Sequence, residues 1–194
     1  MNTGNDRVHE TLVAQLERLY AVERRLHDEL ATLSEDVAID TLDDLRVLEC
    51  REQLQYVIDR HRTETDRHVE RIERAFDALE ETPTTRRVPE LEGLFADKET
   101  FNNVVLNDGL RPLYYIETIL KLEALECTIY GRTVDIADEL EEGETVVDVL
   151  EESYADARER RTDIESLADG DAVLSLLTAS IQQDGRRTGS DRLR

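Results

Sequence analysis

The segment HRTETDRHVERIERAF, His61–Phe76, decides how this chain folds. His61, Thr65, His68, Ile72 and Ala75/Phe76 recur at intervals of three and four, which places them on one face of an α-helix. Extended in both directions, that face takes in Leu54 and Ile58 before it and Leu79 after it. It is apolar at both ends and polar in the middle. Glu64 sits beside Thr65 and one turn from both histidines, so His61-x-x-Glu64-x-x-x-His68 reads as a polar band inside a core-facing stripe.

The same pattern repeats outward from this helix. A first helix, from about Val8 to Leu33 after a frayed start, carries Leu12, Leu16, Leu19, Leu26 and Leu30, and Glu23 fills the one gap in that series. Ser34–Asp40 reads as a connection, and Thr41, followed by Asp43 and Asp44, as the N-cap of the second helix. That helix runs to about Leu79, with a kink expected near Glu49–Glu52 where apolar positions thin out. Thr82–Pro89 (TPTTRRVP) is a linker. A short helical turn at Pro89–Phe95 and a modest helix from about Asp97 to Asn107 follow. A third long helix starts near Arg111–Pro112, with proline in its first turn, and ends by Leu140. Its face is Ile116, Ile119/Leu120, Glu123, Glu126/Cys127, Tyr130, Val134 and Ala137. A fourth covers about Glu144–Ala168, with Val146, Leu150, Ser153, Ala157, Arg160, Ile164 and Leu167. A short fifth helix, about Asp171–Gln182, presents Leu174, Leu177 and Ile181. Residues 1–183 form one bundle domain in this reading, and Asp184–Arg194, rich in Gly, Arg and Ser, a disordered tail. With no Trp, three Phe and no hairpin turn between alternating segments, the fold class is all-α.

Composition narrows the partners. There are 24 basic against 46 acidic residues, for a net charge of −22. Such a surface repels nucleic acid and anionic lipid, so no nucleic acid and no membrane is expected as a partner. Only Lys98 and Lys121 among the basic residues are lysines. Acid excess with lysine scarcity fits a high-salt cytoplasm, where screening relieves the self-repulsion; a solvated surface of Glu–Arg pairs is the plainer alternative. The start of the chain lacks a basic segment followed by an apolar one, and no window approaches 18 apolar residues, so a cytoplasmic location is expected. Cys50 and Cys127 form no CxxC pattern and are expected as reduced thiols.

The chemistry lies in where the acids fall. Glu23, Glu64 and Glu123 sit at or beside core-facing positions on three helices, and Glu126 lies one turn from Glu123 in the mostly apolar LKLEALECTIY. An unpaired carboxylate in a bundle core costs several kcal/mol, so something must offset it. Divalent metal does so in di-metal bundles, where two helices supply one Glu each and two supply Glu with a nearby His. Oxygen-rich ligands with imidazole suit iron or manganese. The fourth helix departs from that scheme. Its core face offers Ala157 and Arg160, with Asp156 and Glu159 one position off. A core-facing Arg160 neutralises carboxylates without any metal. Two readings therefore stand: a metal centre of one or two ions, or a metal-free bundle balanced by Arg160 and protonated histidines. Broken apolar stripes argue against a third, a coiled-coil adaptor. His9 and His27 are assigned no role.

Four stretches, LERLYAVERRL (Leu16–Leu26), HRTETDRHVERIERAF, PELEGL (Pro89–Leu94) and LEALECTIYG (Leu122–Gly131), with a weaker fifth, LEESYADARE (Leu150–Glu159), resemble the YciE/YciF family of ferritin-like stress proteins, which has many haloarchaeal members. The resemblance spans about residues 8–168. It implies an antiparallel, ferritin-like four-helix bundle with additional short helices, often paired as a homodimer. It also implies a di-iron or related metal centre at Glu23, Glu64, His68, Glu123 and Glu126, with Asp156 as the candidate on the fourth helix. An iron oxidase of oxidative-stress defence would meet O2 or peroxide there. Where family members commonly carry a Glu-rich stretch on that helix, this chain has Asp156-Ala157-Arg158.

Overall fold

The computed structural model describes residues 3–39, 45–104, 111–140, 143–171, 173–175 and 178, and five helices build its fold, with helical residues again at 171, 173–175 and 178. The five are α1 (Thr3–Ile39), α2 (Leu45–Ala78), α3 (Pro89–Val104), α4 (Arg111–Asp138) and α5 (Glu144–Ala168). At 1.5 Å per residue the 37-residue α1 is about 55 Å long.

The four long helices form the bundle. α1 packs against α2 and α4, and α5 against the same two, so α2 and α4 lie on one diagonal. Side-chain pairs give the directions. His9 meets Glu81, Tyr20 meets Glu73 and Ser34 meets Asp59, so α1 and α2 run antiparallel. Arg60 meets Asp163 while Arg71 meets Glu152, so α2 and α5 do the same. The bundle is antiparallel at these contacts, with one long crossover between α2 and α4.

The leucine stripe of α1 is buried throughout, at Leu12, Leu16, Leu19, Leu26, Leu30 and Leu33, and continues to Val37. Each such leucine contributes roughly 1.5–3 kcal/mol by leaving water. The expected connection at Ser34–Asp40 is therefore helical as far as Ile39: Ser34 donates to Asp59, and Asp36 accepts from Lys98 of α3, so this polar run is used in tertiary contacts rather than in a turn. α2 runs as one helix through Glu49–Glu52, with Cys50 buried within that stretch and Leu54 just after it. The turn and helix expected separately after Pro89 are one helix, α3. The proposed cap Thr41 and the tail 184–194 lie outside the described residues, as do Leu177 and Ile181. Past α5, Val173 is buried and Leu174 is 54% exposed, so Leu174 is not the core contact expected of it.

The crossover is fastened to α1. The backbone N–H of Arg86 donates to the Glu17 carbonyl, and the Glu17 carboxylate accepts from Thr84 and from the Arg86 guanidinium. Where α4 turns into α5, a Cβ on Gly143 would sit 1.8 Å from the carbonyl oxygen of Ala137, so this turn requires glycine. Among the described residues no helix is long and apolar enough to cross a membrane.

Candidate metal centre

Midway along the bundle the apolar layers give way to a polar one. Glu23 of α1, His61, Glu64, Thr65 and His68 of α2, Glu123 and Glu126 of α4, and Arg160 of α5 are all buried. Helical spacing carries each of them inward as part of a stripe that is apolar above and below. Thr65 satisfies itself on the His61 carbonyl, at 3.0 Å.

Arg160 occupies the centre of one half of this layer. Its Nη1 donates to Glu64 Oε2 at 2.8 Å, its Nε to Glu123 Oε1 at 3.2 Å and its Nη2 to Glu126 Oε1 at 3.0 Å. One planar cation thus bonds three carboxylates from two helices. Burial works against its charge, but the negative charges of Glu126, Glu123 and Glu23 outweigh that and raise its pKa further. Glu64 is saturated: Arg60 Nε takes its other oxygen at 2.9 Å. Burial would raise the Glu64 pKa, yet the hydrogen bonds from Arg160 and Arg60 bring it below the ordinary carboxylate value.

The other half is built on Glu23. Its Oε1 accepts from Tyr130 at 2.6 Å and lies 3.1 Å from His68 Nδ1. Burial alone would raise its pKa, but the His68 charge and these hydrogen bonds lower it. For His68 burial works downward and the Glu23 charge wins, so its pKa is raised. His68 Nε2 faces outward to Asp156 Oδ2 at 3.3 Å, and Arg71 Nη1 holds the same oxygen at 2.8 Å.

His61 stands between the two carboxylates of α4. Its Nδ1 lies 3.0 Å from Glu123 Oε1 and its Nε2 3.1 Å from Glu126 Oε2. Burial depresses the imidazolium, and attraction to Glu123 and Glu126 more than reverses this, raising its pKa to about 10. Neither ring nitrogen makes an aligned hydrogen bond despite those distances.

The accounting of this layer leaves a residue of unsatisfied atoms. Glu23 Oε2, Glu123 Oε2, Glu126 Oε2 and both ring nitrogens of His61 are buried without a hydrogen-bond partner. Leaving such groups unsatisfied costs about 1–3 kcal/mol each, more when they are charged. Two sets of donors in this layer have their ligand atoms within 4.8 Å of one another: Glu23, His68 and Glu126, and His61, Glu123 and Glu126. Adjacent donors on one ion at about 2.0–2.2 Å lie roughly 3.0–3.6 Å apart, so either set would draw in around an ion. The donor chemistry and the orphaned oxygens fit a divalent cation.

Of the residues expected from the sequence, Glu23, His68, Glu123 and Glu126 therefore fall within these donor sets. Glu64 is in the same layer but both its oxygens are held by arginines. Asp156 sits at the rim, with its side chain 30% exposed, paired with Arg71 and His68 and outside both sets. His61, given no ligand role from the sequence, belongs to one set. Its position seven residues before His68, on the same face, was the available signal.

A ferritin-like helical bundle with a buried carboxylate–imidazole layer is the class of protein that this fold and site define. The profile of the family described as "Domain of unknown function (DUF892)" matches residues 7–176, and the chain belongs to that family. Among solved structures, the chain is similar to YcfI, a proposed structural protein from Rhodopseudomonas palustris. The match is 18% identical, covers 86% of this chain and 98% of that one, and has a TM-score of 0.71. It is also similar to the E. coli stress protein YciF, at 21% identity, over 87% of this chain and 96% of that one, with a TM-score of 0.68. No curated protein sequence matches it.

Proposed function

We propose that this protein is a metal-binding member of its family that holds iron or manganese in the polar layer of the bundle. The observation that carries the reading is the cluster of orphaned donors, Glu23 Oε2, Glu123 Oε2, Glu126 Oε2 and the His61 nitrogens, buried together in a layer with other charged groups. Carboxylate and imidazole donors suit iron and manganese. Bound iron would supply electron transfer towards oxygen or peroxide, in line with a protective role. The chain's own residues prepare the site. Tyr130 and His68 fix Glu23, Arg160 fixes Glu123 and Glu126, and the leucine layers on either side exclude water. The resemblance supports a homodimer in solution, which light scattering tests.

One observation favours a second reading, a metal-free structural bundle. Arg160 and protonated His61 and His68 together bring three positive charges to the four buried carboxylates Glu23, Glu64, Glu123 and Glu126. A structural role has been proposed for YcfI. Elemental analysis of untagged protein purified at high salt separates the two. A content near or above one iron or manganese per chain supports the metal reading, and less than about a tenth of an ion per chain after supplementation refutes it.

A further inference from the structure

Resting on the metal reading, we infer that the centre holds one ion, not two, bound by His61, Glu123 and Glu126, with the guanidinium of Arg160 standing where a second ion's charge would be.

The oxygen inventory of Glu126 comes first. The two possible donor sets share this residue. Its Oε1 is bonded to Arg160 Nη2, which leaves Oε2 as its one open donor atom. A carboxylate that bridges two ions ordinarily gives each an oxygen, and Arg160 has taken one of them. Glu123 is in the same condition, with Oε1 on Arg160 Nε and Oε2 open. Glu64, the acid that would complete a second position, has neither oxygen open.

The two donor sets are not equivalent. In the set of Glu23, His68 and Glu126, both nitrogens of His68 are engaged, one by Glu23 and one by Asp156. In the set of His61, Glu123 and Glu126, every member keeps a buried donor atom with no hydrogen bond. An ion there takes the place of the His61 proton between Glu123 and Glu126 and completes oxygens that no other group bonds, whereas an ion at the other set must also take His68 from Asp156 or Glu23.

Charge gives the same answer. Arginine is permanently charged. With neutral imidazole ligands, Arg160 and one divalent ion bring three positive charges to four carboxylates, while Arg160 and two ions bring five. An excess of positive charge in a buried layer is unfavourable. Arg160, placed by the fourth long helix of the bundle in the middle of the acids, thus sets the stoichiometry of the centre.

Equilibrium dialysis of the full, untagged, chelator-stripped chain against Mn2+ tests this, with bound metal counted per chain and the bound ion examined by electron paramagnetic resonance. The expected result for the unaltered protein is one ion per chain, with the six-line spectrum of an isolated ion and no spin-coupled pair. His61→Gln should lower occupancy at least tenfold, and Arg160→Met, by freeing three carboxylate oxygens, should raise the count towards two. Two ions per chain in the unaltered protein, a coupled spectrum, or full occupancy in a folded His61→Gln protein overturns the inference while leaving the metal reading intact. No bound ion at all overturns the metal reading itself. Should Arg160→Met not fold, the count and spectrum of the unaltered chain decide alone.

Discussion

Arg160 and Lys98 are both almost wholly buried cations, yet they are held in opposite ways. Arg160 is enclosed with its partners: the Glu123 and Glu126 side chains are inaccessible and that of Glu64 is nearly so. Lys98 buries its stem beneath α3 and hands its ammonium to Asp36 and Glu99, at 2.7 Å each, whose carboxylates reach solvent. Asp36 is further supported by Asn102. The first arrangement is closed and fails as a unit. The second is open and is repaired by water. A buried charge therefore says little about stability until its partners' exposure is known.

The comparison breaks most sharply at Arg160. Arg160→Met removes the one cation that three buried carboxylates share, and the metal-free protein should lose about 3–5 kcal/mol, read as a lower urea midpoint. Alkaline pH offers the next test. The folded pKa of His61, about 10, lies above its unfolded value of 6.5. Its stabilising contribution is therefore complete below pH 6.5 and is lost as pH rises towards 10. Lys98 is also raised, from 10.5, so its contribution declines only above pH 10.5. Stability of the metal-free chain should fall across pH 6.5–10, and a flat profile there would contradict the closed ion pairs of the layer. Tyr130→Phe removes one hydrogen bond to Glu23 and should cost about 1.5–3 kcal/mol by chemical denaturation, the scale of a hydrogen bond to a charged group. Lys98→Met should cost about 1 kcal/mol or less, because Asp36 and Glu99 fall back on Asn102 and water. A loss as large as that of Arg160→Met would erase the distinction between the two cations.

Much of this architecture is legible in the chain. The leucine series of α1 with Glu23 in its gap is one long core-facing helix, and Gly143 caps the start of α5 where the sequence places a turn. What local pattern hides is any contact that joins distant segments. Ser34–Asp36 reads as a loop because its polar side chains have no visible use until Asp59 and Lys98 arrive from other helices. The candidate site was visible as a layer but not as a coordination list. Glu64 and Glu123 look alike in the sequence, and Arg60, one turn before Glu64, distinguishes them by closing the first. Arg160 stood out as the core-facing cation of the fourth helix. That it reaches three acids at once depends on the packing of α5 against both α2 and α4.

The polar layer also acts as an alignment key for the bundle. Leucine stripes tolerate sliding, since a helix displaced by one turn, about 5.4 Å, again meets apolar neighbours. Here the same slip would press Glu23 against leucine and strand Arg160 away from its acids. One short band of incompatible chemistry, midway along the bundle, thereby selects a single axial register from several that the surrounding oil-like surfaces would accept.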